Sequence, residues 1–430
     1  MIIGIDDTDS VDGMCTTYLT AILIDKLKSL GDIRGRPHLI RLNPNIKYKT
    51  RGNAALAVEI DTYPDSEEQI VNTAISLVED MADMDCENTN PGIVFLIDQG
   101  RNDPGFRQDL ESFMWQAMRD VLAVEDARSL IGKYGITHKG FKNGRGLIGA
   151  LAACGSVLCG LSDHTYELIA YRQPGNFGTP RKIDRESVFR ADRETYPGTW
   201  DTVDISNNTI VFAPHSPDPI LFGIRGDDVQ SIEKAFGIIG SEPAGLTLLF
   251  RTNQGTDFHL LDDLLDAQIC DVLEERSYKL TGTVVDRPVT IRGGHMFFTL
   301  KGSGSIRCAA FEPTKGFRNI IKELIPGDKV GVYGGIADGT LNVEKMEILE
   351  LAAYEKTSNP VCPTCGKRMK SAGSGQGFRC KGCNTKSDEV VRTTMGRGIT
   401  PGIYEVPPCA RRHISKPLVR SAEPDVYPSR

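Results

Sequence analysis

The chain has 430 residues, 40% apolar and 25% charged, values of a globular protein too long for one core and long enough for three or four domains. No run of about 18 apolar residues occurs, which excludes a membrane-spanning helix, and the first residues lack the basic and apolar regions of a secretion signal, so a cytoplasmic location is expected. The net charge of −7 is uneven: residues 361–430 carry 13 Lys and Arg against 5 Asp and Glu, a balance of +8, and the first 360 residues carry −15. A basic end on an acidic body points either to a region that meets a polyanion or to a solvated tail. Eleven cysteines, an odd number without a secretion signal, argue for reduced thiols.

In chain order, MIIGID reads as a buried strand and TTYLTAILIDKLKSL as a helix that stops near Gly31. AALAVEI (54–60) is a second strand, SEEQIVNTAISLVEDMADM a helix capped by Ser66 with acids in its first turn, and PGIVFLID a third strand. This alternation predicts an α/β domain. From Gly140 the character changes: GLIGALAACG, TYELIAYR, TIVFAP, ILFGIRG and LTLLFRT read as short strands, with the helix DDVQSIEKAFGII between the last two. That mix suits a small ferredoxin-like α+β sandwich. LLDAQICDVLEER reads as a connecting helix. Five strands come next, between Tyr278 and Leu351, with the helix GFRNIIKELI between the third and fourth, the order of an OB-fold β-barrel.

Residues 362–383 read CPTCGKRMKSAGSGQGFRCKGC. Cys362, Cys365, Cys380 and Cys383 stand in the spacing C-x2-C-x14-C-x2-C, in which two tight turns each give two thiolates to one tetrahedral zinc. Gly366 and Gly382 suit those turns. Four protein ligands close such a site, so the zinc is expected to be structural. Lys367, Arg368, Lys370, Arg379 and Lys381 decorate this zinc ribbon, and a basic ribbon beside an OB-fold is a common grip on nucleic acid. The alternative is a ribbon that makes only protein contacts.

The opening GIDDTDSVDGMCTTYL concentrates Asp6, Asp7, Asp9 and Asp12 where a buried strand meets its loop. Clustered carboxylates raise one another's pKa unless something positive sits among them. The usual solution is Mg2+, which takes one or two carboxylates and completes its shell with water and phosphate oxygens. The helix that begins near Cys15 or Thr16 adds free N–H groups and a positive dipole end. An exposed acidic turn, or Asp9 as a helix cap, is the alternative. No Walker A sequence occurs, so an ordinary P-loop NTPase is excluded. The cations for a phosphate must then come from RLNPNIKYKTRGNAA, with Arg41, Lys47, Lys49 and Arg51, or from KGFKNGRGLIGA, with Lys139, Lys142 and Arg145. FRTNQGTDFHL (250–260) places Arg251, Asn253, Gln254, Asp257 and His259 after a strand, either as a binding loop or as a hydrogen-bonded corner.

Together, GIDDTDSVDGMCTTYL, RLNPNIKYKTRGN, GRGLIGALAA, GIRGD, FRTNQGTDFHL, GGHMFFTL with CAAFEPTK, and the four-cysteine ribbon resemble, in this order, the archaeal tRNA(Ile2) 2-agmatinylcytidine synthetase family. The resemblance spans residues 1 to about 390. It implies an ATP-dependent ligase that phosphorylates the C2 oxygen of the wobble cytidine in the isoleucine tRNA with a CAU anticodon. Agmatine then displaces the phosphate, ATP ends as AMP and two phosphates, and the modified tRNA reads AUA. It further implies a kinase-like domain over 1–140, a ferredoxin-like domain over 141–268, an OB-fold over 269–355 and a zinc ribbon over 356–390, the last two holding the tRNA. A basic tail over 391–430 lies beyond any motif. The family's catalytic aspartates, with Mg2+, map onto Asp6, Asp7 and Asp9, and its autophosphorylated threonine onto Thr16; Asp12 receives no role. Lys47, Lys49, Arg51 and Arg145 are the expected ATP and phosphate contacts. Asp257 and Asp227 stand as guesses for the carboxylate that agmatine's guanidinium needs. The reading from a different class is a non-catalytic OB-fold and zinc-ribbon protein that only binds nucleic acid.

Overall fold

The computed structural model describes residues 1–50, 52–97, 103–262 and 269–430. Its first 159 residues run β1 (Ile2–Asp6), α1 (Thr16–Leu27), β2 (Gly31–Arg41), β3 (Ala54–Thr62), α2 (Glu67–Met81), β4 (Gly92–Leu96), α3 (Pro104–Arg119), α4 (Val124–Tyr134), β5 (Thr137–Gly140) and α5 (Gly146–Cys159). β1 is buried along its whole length, and both its edges are filled by antiparallel partners, β3 and β4. The first third is therefore an antiparallel α+β layer, which corrects the expected α/β arrangement. β2 escapes a sequence reading because Gly35, at φ +62°, and Pro37 sit at an irregularity in its register between Arg34 and His38. Ser66 does not cap α2: it has helical backbone angles and its side chain makes no capping bond, although Glu67 and Glu68 fill the first turn as expected.

GLIGALAACG is a helix rather than a strand. α5 is apolar all round because it is buried all round: Leu147, Ala150, Leu151 and Cys154 pack with Ile2, Leu42, Ala55 and Val94 in one core. A short apolar run of that kind has no periodicity to separate helix from strand. The helix lies so close to the sheet that a Cβ on Gly4 would stand 2.0 Å from the Ala150 carbonyl oxygen.

The next unit is β6 (Thr165–Arg172), α6 (Arg185–Thr195), β7 (Thr199–Trp200), a separate two-stranded ribbon of β8 (Val203–Asp204) with β9 (Thr209–Ile210), then β10 (Ile220–Gly226), α7 (Val229–Ile238) and β11 (Ala244–Thr252). β11, β6, β10 and β7 lie side by side, antiparallel throughout. β11 joins β2 in parallel at Arg251 and Thr252, so one sheet runs β5-β4-β1-β3-β2-β11-β6-β10-β7 across both units. FRTNQGTDFHL is the corner that closes this seam. Asn253 accepts from the Arg41 N–H at 2.7 Å and donates to its carbonyl at 2.9 Å, and Asn253, Gln254, Thr256 and His259 are all buried.

β12 (Leu260–Asp262) leads toward the second body. The first five residues of the expected connecting helix LLDAQICDVLEER (264–276) lie outside the described residues, and its described part, from Ile269, holds a 3-10 turn over Ile269–Asp271 and no α-helix. The barrel comprises β13 (Ser277–Val284), the short β14 (Val289–Thr290), β15 (Met296–Lys301), β16 (Ser305–Ala310), α8 (Phe317–Lys322), β17 (Lys329–Ala337) and β18 (Thr340–Glu350). Pairing runs β13-β15-β16-β18-β17 and back to β13, a closed five-strand ring with α8 between its third and fourth strands, as expected from the sequence.

β19 (Glu355–Ser358) pairs with β23 (Val391–Thr394) at the base of the ribbon, whose three strands are β20 (Lys370–Ser371), β21 (Phe378–Arg379) and β22 (Lys386–Ser387). The C-terminal segment beyond the ribbon is not a tail. β24 (Gly402–Glu405) adds to the barrel edge at β18, β25 (Val426–Tyr427) adds to β24, and the chain between them lies against the first body. Every Lys and Arg after residue 390 is in an ion pair, most with carboxylates of the first 360 residues. Arg397 reaches Asp328, Arg411 reaches Asp201 and Glu405, and Arg412 reaches Glu344. Lys416 and Arg420 reach Asp163, Arg430 reaches Asp192, and Arg392 reaches Glu355. The +8 at the C-terminal end is largely cancelled inside the molecule, and this segment acts as a strap.

Candidate active site

The acids gather at the end of β1. Asp6 and Asp7 are 9% and 8% exposed, and the Asp6 carboxylate accepts the Asp7 N–H at 2.7 Å. Asp7 holds φ +60°, a left-handed conformation that costs free energy for a residue with a Cβ and persists where surrounding structure fixes it. The fixing comes from Thr89, whose hydroxyl donates to the Asp9 carbonyl at 2.7 Å, and from Arg145, 2.8 Å from the Asp7 carboxylate. Burial pushes the Asp6 carboxyl well above the usual range, reinforced by Asp7. Burial raises Asp7 to about 7, against the lowering pull of Arg145.

A cavity of about 130 Å³ brings Asp6, Asp7 and Asp9 together with Lys49 and Arg145. Its apolar walls include Leu42, Ile46, Tyr48 and Ile148, and the Thr50 hydroxyl on its wall is buried without a partner among the described residues. Lys47 lies outside this cavity, exposed and 3.5 Å from Glu275. Lys49 donates to the Pro44 carbonyl, and Arg145 is engaged with Asp7 and the Asn88 carbonyl. Arg51 lies outside the described residues. Asp12 is exposed. Thr16 begins α1, buried, its hydroxyl accepting from Thr8 at 3.1 Å. It faces a neighbouring cavity of about 250 Å³ with Arg41, Glu167 and Arg225; the two cavities share Asp9, Gly52 and Ala54.

The three carboxylates share a space without converging on one point: among the described residues, only the four cysteines bring three or more ligand atoms within 4.8 Å of one another. Hard carboxylate oxygens, raised pKa values and an unpartnered hydroxyl fit a cation held by one or two aspartates and by phosphate oxygens. The loop with Arg41, Lys47 and Lys49 has a second task that its basic residues hide. Asn43 donates to the Glu275 carbonyl at 2.8 Å and Asn45 to the Ser277 hydroxyl at 2.7 Å, so the cavity wall is docked on the start of the barrel.

Gly149 carries no recognisable signal in the sequence beyond lying in an apolar run. A Cβ there would stand 2.0 Å from Asp6 Oδ2. Inside a helix, Gly→Ala normally stabilises by about 1 kcal/mol. Gly149→Ala is expected to do the opposite, lowering the melting temperature and displacing Asp6. Single-turnover assays should then show the chemical step slowed on the order of 10²-fold, the usual cost of misplacing a reacting group by about 1 Å.

The four cysteine Sγ atoms lie within 4.8 Å of one another, with Cys362 and Cys380 buried. The two turns are built alike: Gly366 donates its N–H to the Cys362 carbonyl and Asn384 to that of Cys380. The left-handed residues are therefore Gly366, at φ +68°, and Asn384, at φ +57°, not Gly382. Lys367, Arg368, Lys370, Arg379 and Lys381 are all exposed and outside every ion pair of the described residues. Cys380→Ser is expected to abolish stoichiometric zinc and make the ribbon protease-sensitive while the main melting transition stays in place; zinc analysis and limited proteolysis check it.

The barrel carries an aromatic and cationic face that the sequence does not announce. Arg307 stacks over Phe297 at 4.0 Å, His295 packs on Phe311 at 5.3 Å, and Phe311, Val289 and Ile291 are exposed. Such a face suits unpaired bases and backbone phosphates. The two guessed agmatine carboxylates are occupied: Asp257 accepts the Lys416 N–H at 2.7 Å and Asp227 bridges Trp200 and Arg420.

Family models match in three segments: the TiaS TCKD domain over residues 2–143, the TiaS FLD domain over 144–259 and the TiaS C-terminal zinc ribbon domain over 359–399. The chain is 52% identical to the tRNA(Ile2) 2-agmatinylcytidine synthetase TiaS of Methanosarcina mazei, covering 99% of each. It superposes on the crystal structure of a TiaS–tRNA(Ile2)–ATP complex with a TM-score of 0.90 at 46% identity, and on a TiaS–tRNA(Ile2)–AMPCPP–agmatine complex at 0.89 and 43%, each covering 100% of this chain and 99% of the other. No helix among the described residues is long and apolar enough to cross a membrane.

Proposed function

The chain belongs to the tRNA(Ile2) 2-agmatinylcytidine synthetase family, and from that membership we propose that it uses ATP to join agmatine to C2 of the wobble cytidine in the isoleucine tRNA with a CAU anticodon. C2 of cytosine carries an oxygen that leaves poorly. Transfer of a phosphoryl group to that oxygen makes it a leaving group. Agmatine's deprotonated amine then attacks C2; the C2–N bond forms, the C2–O bond breaks, and phosphate departs with the oxygen.

Mg2+, when bound with ATP, supplies charge neutralisation on the transferred phosphoryl and its leaving group. Asp6 and Asp7 would hold it, with Asp9 facing the neighbouring cavity. Arg145 and Lys49 would contact phosphate, and Lys47 and Arg51 are further basic residues of the same stretch of sequence as Lys49. Thr16, across the shared Asp9 wall, would take a phosphoryl group from ATP onto its hydroxyl oxygen, the phosphoanhydride bond breaking and the rest of the nucleotide departing. The wobble base reaches this site cheaply because it lies in a loop rather than a stacked duplex. Lys367, Arg368, Lys370, Arg379 and Lys381 of the ribbon and the Arg307–Phe311 face of the barrel hold the tRNA.

The functional division is a kinase-like unit over 1–140, a ferredoxin-like unit over 141–268, an OB-fold over 269–355 and a zinc ribbon over 356–390, with 391–430 as the strap. The βαββαβ succession of β6 to β11, with β11 beside β6 and β10 between β6 and β7, supports the second. Antiparallel pairing about β1 gives the first no kinship with P-loop folds.

The observation that carries the reading is the buried acid cluster whose wall is docked on an RNA-suited barrel. A protein that only bound RNA would gain nothing from carboxylates that repel phosphate. Incubation with CAU-anticodon tRNA, ATP and labelled agmatine should place label at the wobble position, seen by nucleoside analysis. No incorporation by a folded, tRNA-binding preparation refutes it.

A further inference from the structure

A cavity of about 400 Å³ separates the second half of the large sheet from the strap. The acid site does not use it. Its charged and donor lining is one-sided: Arg225, Gln254, Arg411, Arg412 and His413 face it, and its single carboxylate, Asp201, is already covered by Arg411. Two donors there are stranded. Gln254, 2% exposed, accepts from Arg41 Nε through its oxygen, which fixes the amide orientation, and its Nε2 is left without an acceptor among the described residues. The Nε of Arg411, whose side chain is 8% exposed, also lacks one. Buried N–H groups without acceptors are costly, so a pocket that strands two of them beside three guanidinium groups fits an oxygen-rich anion. Burial, reinforced by Arg41 and Arg225, keeps the His413 imidazole neutral, well below its ordinary range.

The cavity is connected to the chemistry. Val211, Ala213, Pro214 and Arg225 form a wall common to it and to the cavity that holds Thr16 and Asp9. That second cavity shares Asp9, Gly52 and Ala54 with the acid site. The three spaces form a series, lined by guanidinium groups and amide donors at one end, where Arg225, Arg411 and Arg412 are each held by a carboxylate, and by aspartates at the other. ATP's phosphates belong to the acidic end, and a nucleic-acid strand whose base enters there must place its next phosphate groups further along.

We propose that the cavity walled by Arg225, Gln254, Arg411 and Arg412 binds a backbone phosphate of the substrate RNA next to the reacting nucleotide, so that the strap is part of the RNA site. This rests on the tRNA-modifying function. The test is tRNA binding over a salt series with the full-length protein. Arg412→Ala combined with Glu344→Gln removes the guanidinium without leaving its carboxylate partner buried and charged; Glu344→Gln alone is the control. The double variant should bind CAU-anticodon tRNA on the order of tenfold more weakly. Its slope of log affinity against log salt should be shallower by about 0.7, one single-strand phosphate contact, and its ATP affinity should be unaltered. His413→Glu, which places a carboxylate in the cavity and removes no ion pair, should weaken tRNA binding further and serves if the double variant folds poorly. A salt slope equal to the control in both variants overturns the proposal. So does a change confined to inhibition by inorganic phosphate, which would assign the cavity to a product of ATP instead. Agmatine transfer by the wild-type protein is measured on the same preparation: if it occurs while the slopes are unchanged, this inference alone fails.

Discussion

Asp7→Asn is expected to abolish agmatine transfer while leaving tRNA affinity nearly intact. The amide has the shape of the carboxylate and keeps an oxygen toward Arg145, so the loop at φ +60° has no reason to rearrange. What it lacks is the charge. Loss of one aimed electrostatic partner at a phosphoryl-transfer site costs on the order of 10³-fold in the chemical step. The RNA-binding surfaces on the barrel, ribbon and strap are built by other residues and are untouched. Persistence of transfer in Asp7→Asn, with tRNA bound normally, would remove Asp7 from the mechanism.

The same substitution has a stability signature whose sign can be worked out. In the folded protein Asp7 is raised to about 7 from an ordinary 3.8, chiefly by burial. Between these values the folded state holds a proton that the unfolded chain has lost. Stability therefore falls as pH rises from about 4 and levels off above about 7. Asp7→Asn removes that slope, so its melting temperature should exceed the wild-type value at pH 8 and converge with it near pH 4. Mg2+ with ATP should flatten the wild-type profile too, because a bound cation favours the ionised pair.

How much of this was legible depended on whether the signal was local. The four cysteines announce their site because thiolate geometry imposes a spacing on a continuous segment. The barrel is legible because its strands alternate and its one helix falls in a fixed place. Asp6, Asp7 and Asp9 were visible for the same local reason, as charge at the end of an apolar strand. Four features were not legible, each for a physical reason. α5 is buried on all sides, so its sequence has no face and reads equally as a strand. Gly149 matters only because Asp6, far away in the chain, approaches it. The loop of Lys47 and Lys49 shows its charge in the sequence, but not that Asn43 and Asn45 dock it on the barrel, because their partners lie more than 200 residues away. The basic end is the clearest case. Net charge counts every cation alike, and only the fold separates the exposed ones of the ribbon from Arg397, Arg411, Arg420 and Arg430, which meet acids of the body.

Arg411→Met should destabilise the protein more than any other single change in the strap. Arg411 is nearly buried and its guanidinium lies between Asp201 and Glu405, the first in the sheet unit and the second on the added barrel strand β24, 2.7 Å away. Both carboxyls are raised by burial, with Arg411 the main influence holding them down. Methionine fills much of the volume and removes the cation, leaving two buried acids with no positive charge between them, although Glu405 still accepts the Leu418 and Ser429 N–H groups. Breaking a buried ion pair from one side costs about 3–5 kcal/mol. The loss should depend on pH in one direction. Without Arg411 both folded-state pKa values climb further, so the variant's folded state keeps protons that the unfolded chain releases, and the deficit widens as pH rises. Denaturant midpoints for wild type and Arg411→Met should therefore diverge between about pH 5 and pH 8. Arg411→Met combined with Asp201→Asn should recover part of the difference at the upper end, because the remaining acid no longer faces a second negative charge. An equal deficit at both pH values would mean that lost packing, not the stranded carboxylates, is what joins the strap to the body.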